Sequence, residues 1–246
     1  MSFNQLKVND IQRIYSNVYE NACELLEDAE LLYSHCKYAR AYFFAHIAFE
    51  EFGKLPMLNS IASNVEFGLK SDWKELNKRI RTHVTKIDLS YLLLRYPLNE
   101  VRVLTNNFRT LPNHTEKAKF EEIINFIKYD YQIDTERHLR FMISKQVELE
   151  QKNTTTADLL NNFKNISLYA DFSNGVFMKP SDCIDIEICE QGIIFALLIK
   201  KLFESSKIHK QGFSFSNLSP LEKEEYWNYY IGFFEELLSS KQNNDE

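Results

Sequence analysis

Residues 45–54 read Ala45-His46-Ile47-Ala48-Phe49-Glu50-Glu51-Phe52-Gly53-Lys54, inside a run, 38–61, with apolar residues on nearly every side of a helical wheel. A helix that is apolar all round is normally buried. This one nevertheless carries His46, Glu50, Glu51 and Lys54 near its middle. Glu and Lys are rarely buried without partners, because an unpaired charge loses its hydration. His46, Glu50 and Lys54 are four apart, so a helix stacks them on one face. Three readings fit: an internal Glu50–Lys54 ion pair that fixes packing, a polar site facing a cleft, or plain surface exposure.

The composition says what surrounds this helix. The chain has 246 residues, 44% of them apolar, enough for a substantial core. Six Gly and five Pro are few for this length, so turns are rare, elements are long and the fold class is all-α or nearly so. Aromatics make up 14%, and buried tyrosine hydroxyls among them need partners. A net charge of −6 argues against a protein that coats nucleic acid through overall basicity, but leaves room for a local basic site. Cys23, Cys36, Cys183 and Cys189 show no Cys-x-x-Cys spacing, which disfavours zinc and fits a reduced, cytoplasmic setting. The first ten residues are polar, and the best apolar run, 193–198, is too short to span a bilayer, so no membrane partner is expected.

In chain order, Ile11, Ile14, Tyr15, Val18, Ala22, Leu25, Leu26, Ala29 and Leu32 recur at helical spacing, predicting a first helix over 9–34 capped by Asn9 or Asp10. A short break at 35–37 makes the second helix, 38–64, antiparallel to the first, with Pro56 kinking it. Asp72 caps a third helix running from Trp73 to about Leu94. Short and long helices follow over 99–108, 116–152 and 157–165, and Asn153-Thr-Thr-Thr156 forms a cap region before the last of these. Residues 167–180 alternate apolar and polar around Ser173-Asn-Gly175, which reads as a hairpin. Helices over 182–206 and 220–240 complete one helical domain, 1–207, and a C-terminal helical extension with a tail, 208–246.

The third helix carries a local basic patch: Lys70, Lys74, Lys78, Arg79, Arg81 and Lys86 against Asp72 and Glu75. Arg79, His83 and Lys86 share one face by spacing. No His has Glu three residues before it, and His-Glu-x-x-His, a Gly-rich phosphate loop and Gly-x-Ser-x-Gly are all missing from the sequence. The remaining chemistry is an imidazole flanked by cations. That set suits phosphodiester cleavage without a metal: the imidazole moves protons, and Arg and Lys stabilise charge on phosphoryl oxygens. A solvated helix face is the plain alternative.

The order of segments is itself informative. Asn21-Ala-x-x-Leu-Leu-x-Asp-Ala29 and Tyr38-Ala-Arg-Ala41 come first, then Ala48-Phe-Glu-Glu-Phe-Gly-Lys54 and Trp73 with His83-x-x-Lys86. Leu168-Tyr-Ala-Asp171, Asn174-Gly175 and Pro180 follow. Together they resemble the AbiV family of bacterial abortive-infection proteins, a branch of the HEPN superfamily, over most of 21–180. The resemblance implies a HEPN-like helical bundle, a homodimer, and action against phage. It further implies either a metal-independent ribonuclease without cofactors or a non-catalytic dimer that binds a phage-encoded activator or target protein. The superfamily motif is Arg, four residues, then His. Here Lys78 stands at the Arg position, so the guanidinium falls to Arg79 or Arg81, or nuclease activity is weakened or lost. The site implied is His83, Arg79, Glu51 and Lys54 as catalytic groups. Lys78, Arg81, Lys86, Glu50, Tyr169 and Asp171 would contact substrate RNA.

Overall fold

The structure, a computed structural model, describes residues 6–66, 73–91, 93–94, 155–173 and 176–205, with single positions at 125, 128, 129 and 134. The helices expected over 99–108, 116–152 and 220–240, the Asp72 cap and the extension 208–246 lie outside the described residues. So does the loop centred on Gly68.

Helix α1 (Val8–Ser34) starts one residue earlier than its apolar stripe predicts. Its cap position is Lys7, not Asn9 or Asp10; Asp10 reaches back from the first turn and accepts the Lys7 N–H at 3.1 Å. The helix ends in a Schellman turn. Lys37 N–H donates to Leu32 C=O and Cys36 N–H to Tyr33 C=O, both at 2.9 Å, with Cys36 at φ 56°. That left-handed position usually falls to Gly, whose missing Cβ removes the penalty. The turn folds α2 (Tyr38–Phe52) back against α1.

Helix α2 is the core helix. It packs against α1, against α6 (Thr156–Leu168) and against α8 (Ile186–Ser205), which is why it is apolar all round. Its small face, Ala41, Ala45 and Ala48, is fully buried. On α8, a Cβ at Gly192 would come within 2.8 Å of the Tyr42 ring, so these two helices approach closely. Phe49 meets Phe195 at 5.8 Å and Phe52 stacks on Phe203 at 6.1 Å between ring centroids. Tyr33 donates its hydroxyl to Glu190 at 2.6 Å and Tyr19 to Glu204 at 3.3 Å, tying α1 to α8 near both ends.

The second helix does not run unbroken to Asn64. It stops at Phe52 and resumes as α3 (Leu55–Glu66), so the break falls at Gly53-Lys54. Pro56 sits in the first turn of α3, where its missing N–H costs little. Pro56 has no N–H to donate to Phe52, where α2 stops, and another helix crosses at the same place. A Cβ on Gly53 would lie 2.2 Å from the carbonyl oxygen of Lys86 and 2.6 Å from Ser90 Oγ. The third helix is also divided: α4 (Trp73–Arg81) ends before Thr82, and α5 runs over 83–91. Ser90 Oγ donates to the Phe49 carbonyl at 2.6 Å, in the interior, and holds α5 against α2.

Helix α6 is longer than expected, and the polar run before it does cap it, with Thr155 Oγ1 accepting the Asp158 N–H at 3.1 Å. The hairpin is present as β1 (Asp171–Ser173) and β2 (Val176–Met178), antiparallel, in the register Ser173↔Val176 that brackets Asn174-Gly175. The helix expected over 182–206 is split. A single turn, α7 (Pro180–Cys183), precedes α8 because Ile184 is extended and Asp185 caps α8 by accepting the Ile188 N–H at 2.9 Å.

Two glycine arguments make predictions. Gly53→Ala forces α5 off α2 and should destabilise by about 1–3 kcal/mol, read as a lower urea midpoint; an unchanged midpoint would mean the crossing can open freely. Cys36→Gly removes the left-handed penalty and should stabilise by about 1 kcal/mol, read in the same titration.

Candidate functional site

The Gly53 crossing sets α5 over the middle of α2, and a buried carboxylate lies under it. Glu50 is 1% exposed. Its Oε2 accepts from His83 Nδ1 at 2.6 Å and pairs with Lys86 Nζ at 2.9 Å. Its Oε1 accepts from Lys164 Nζ at 3.2 Å. His46 Nε2 lies 3.3 Å from Oε1. That contact is within charge range but off hydrogen-bond alignment, and the nitrogen has no hydrogen-bond partner among the described residues. Oε2 thus meets two close donors and Oε1 one, with His46 beside it in charge contact only.

The electrostatics follow from this count. Burial alone would push the Glu50 carboxyl up, but contact with His46, Lys86 and His83 and the Lys86 charge hold it well below the usual carboxylate range. His46 moves down, chiefly because burial disfavours its charged form, with Lys164 and His83 adding to the effect and Glu50 opposing it. Among the described residues two ammonium groups, Lys86 and Lys164, both nearly buried, thus meet one carboxylate, a balance that suits an anion. His83 is different: its side chain is 56% exposed while its Nδ1 is fixed from below.

Of the residues singled out in the sequence, His46, Glu50, His83 and Lys86 are brought together. Glu51 and Lys54 pair with each other, so the ion pair within the helix is Glu51–Lys54 and not Glu50–Lys54. Lys78 and Arg79 lie on α4, on the far side of the Thr82 interruption, and both turn to Glu75, at 3.9 and 3.3 Å. Arg81 is exposed at the end of α4. Tyr169 is exposed at the end of α6, and Asp171 pairs through its backbone with Met178. Lys164 was missed. Ala157, Leu160, Lys164 and Ser167 are the buried residues of α6, so Lys164 occupies an apolar register position, and that spacing was the available signal.

Among the described residues no helix is long and apolar enough to cross a membrane. The family model described as AbiV matches residues 10–199, a span that holds every member of the Glu50 cluster. No curated protein and no solved structure matches the chain.

The cluster fixes the acid response. His46, lowered from 6.5 in the fold, binds its proton first in the unfolded chain, so stability falls as pH drops through about 6.5. Glu50, lowered from 4.5, contributes stability that is complete above that value and is lost below it. Glu50→Gln leaves two lysines buried without their carboxylate and should cost about 3–5 kcal/mol at neutral pH. It should also flatten the loss below pH 4.5, measured by urea denaturation across pH; an equally steep acid limb in the variant would assign that loss to other carboxylates.

Proposed function

The chain belongs to the AbiV family of abortive-infection proteins, within the HEPN superfamily, and on that premise we propose that it acts against phage by cleaving RNA, without a metal, at His83. The observation that carries this reading is the Glu50–His83 contact at 2.6 Å beneath an exposed imidazole. An ionised carboxylate on Nδ1 fixes the tautomer that keeps its proton there and leaves the Nε2 lone pair for a substrate.

In the proposed reaction Nε2 takes the proton of a ribose 2′-OH. The 2′-oxygen attacks the adjacent phosphorus, the bond to the 5′-oxygen breaks, and that oxygen leaves with a proton from an imidazolium. The products are a 2′,3′-cyclic phosphate and a 5′-hydroxyl. A homodimer would supply both groups, with His83 of one copy as base and His83 of the other as acid. Lys86 and Lys164, the two ammonium groups on Glu50, would stabilise the phosphoryl oxygens as charge builds on them. Among the described residues no guanidinium meets Glu50; Arg79 and Arg81, at the end of α4, would bind the RNA backbone further out.

The alternative of a non-catalytic dimer is favoured where His83 and Lys86 are dispersed over the surface. Their convergence on one carboxylate supports the nuclease reading instead.

Purified protein incubated with cellular RNA in excess chelator should produce 2′,3′-cyclic ends. His83→Ala should lower the rate by about a hundredfold or more, the usual worth of a general base. RNA left intact by the unaltered protein, with and without lysate from phage-infected cells, would overturn the proposal.

A further inference from the structure

We propose that a cleft at the start of α2 is a second anion site, which takes the phosphate of a nucleotide, free or at the end of an RNA chain. The cleft has a volume of about 730 Å³, within the range of small-molecule sites. Its walls are the α1–α2 turn, the end of α6 and the start of α7. Among the described residues three cations line it, Lys37, Arg40 and Lys179, and no Asp or Glu does. The cations come from separate elements: Lys37 and Arg40 open α2, and Lys179 precedes α7. In a chain of net charge −6, three positive side chains gathered around one concavity without an acid form a local exception.

The placement of Arg40 also runs against the helix it sits on. Arg40 is in the first turn of α2, where the helix dipole disfavours a cation, whereas Lys37, the cap residue of α2, also follows the end of α1, where one is favoured. No side chain caps α2 and its first turn holds no acid. An anion in the cleft would meet both the side-chain charges and the helix start, and would relieve the conflict between them. The remaining wall is apolar and aromatic, with Tyr38, Leu168 and Pro180, which gives a base and ribose a surface that a bare phosphate does not use.

This site is separate from the Glu50 cluster. Arg40 and Glu50 lie ten residues apart on one continuous helix, about 15 Å along its axis. The two places are nevertheless joined through α6. Ser167, which lines the cleft, donates its hydroxyl to the carbonyl of Lys164, whose ammonium reaches Glu50.

The test uses the full chain and two probes, AMP and a 5′-phosphorylated tetranucleotide, titrated by calorimetry at low salt. Saturable binding of either probe is expected, and the tighter one identifies the source. The double variant Lys37→Gln, Arg40→Gln should weaken it by about tenfold or more for each charge removed. Lys179→Gln, on another element, should weaken it in the same direction. All three side chains are exposed, so the fold should survive, checked by circular dichroism. AMP, which has no internucleotide bond to cleave, should bind His83→Ala as it binds the unaltered protein, which separates this site from the proposed nuclease centre. Neither probe binding at millimolar concentration, or binding that survives all three substitutions, would overturn the proposal.

Discussion

A single carboxylate buried under a helix crossing governs this molecule. Glu50 is carried into the interior by α2, which must be apolar on all sides to sit among α1, α6 and α8. A buried charge is tolerated only when its lost hydration is replaced by close partners. The partners come from widely separated parts of the chain: His46 on the same helix, His83 and Lys86 on α5, Lys164 on α6. Any displacement of α5 or α6 would leave charge stranded in the core. The cluster therefore fixes the mutual placement of three helices while itself being the chemically interesting feature.

The backbone around it is shaped to let that happen. Gly53 has an ordinary helical φ of −64°, so its value is space, not conformational freedom. It lets the α5 backbone come down onto α2, and Ser90 then bonds the Phe49 carbonyl, which also accepts the Gly53 N–H at 3.2 Å. That carbonyl is one residue before Glu50. The contact that clamps the helices and the contact that orients His83 are consequently adjacent in the chain, and one depends mechanically on the other.

Much of this was legible in the sequence, and the missing parts have physical reasons. Helical periodicity gave α1, α2 and α8, and the Asn174-Gly175 dipeptide gave the hairpin. A charged residue in an apolar register marked Glu50 as unusual. Spacing alone did not say which partner Glu50 takes, because Lys54, four residues on, was the nearest candidate and the actual ammonium groups are 36 and 114 residues away. The Thr82 interruption separated Arg79 from His83 although their spacing suits one continuous face. Capping also misled at Asn9, because Asp10 satisfies the helix start from inside the first turn. In each case the competing influence was a contact across helices or a choice between two nearby local bonds, neither of which periodicity encodes.

Buried ion clusters add little net stability when weighed against apolar replacements of similar volume. An interior built only to be stable would fill the positions of Glu50, Lys86 and Lys164 with Leu or Met. Here, among the described residues, two ammonium groups meet one carboxylate beside the one exposed member of the cluster, His83. Packing does not need such an imbalance, whereas an incoming polyanion would complete it. A related case arises at the start of α2, where Arg40 opposes its own helix dipole. Both ends of one core helix thus gather positive charge. Helix α6 touches both ends, through Ser167 and Lys164, so a ligand at one end meets an element that also bears on the other.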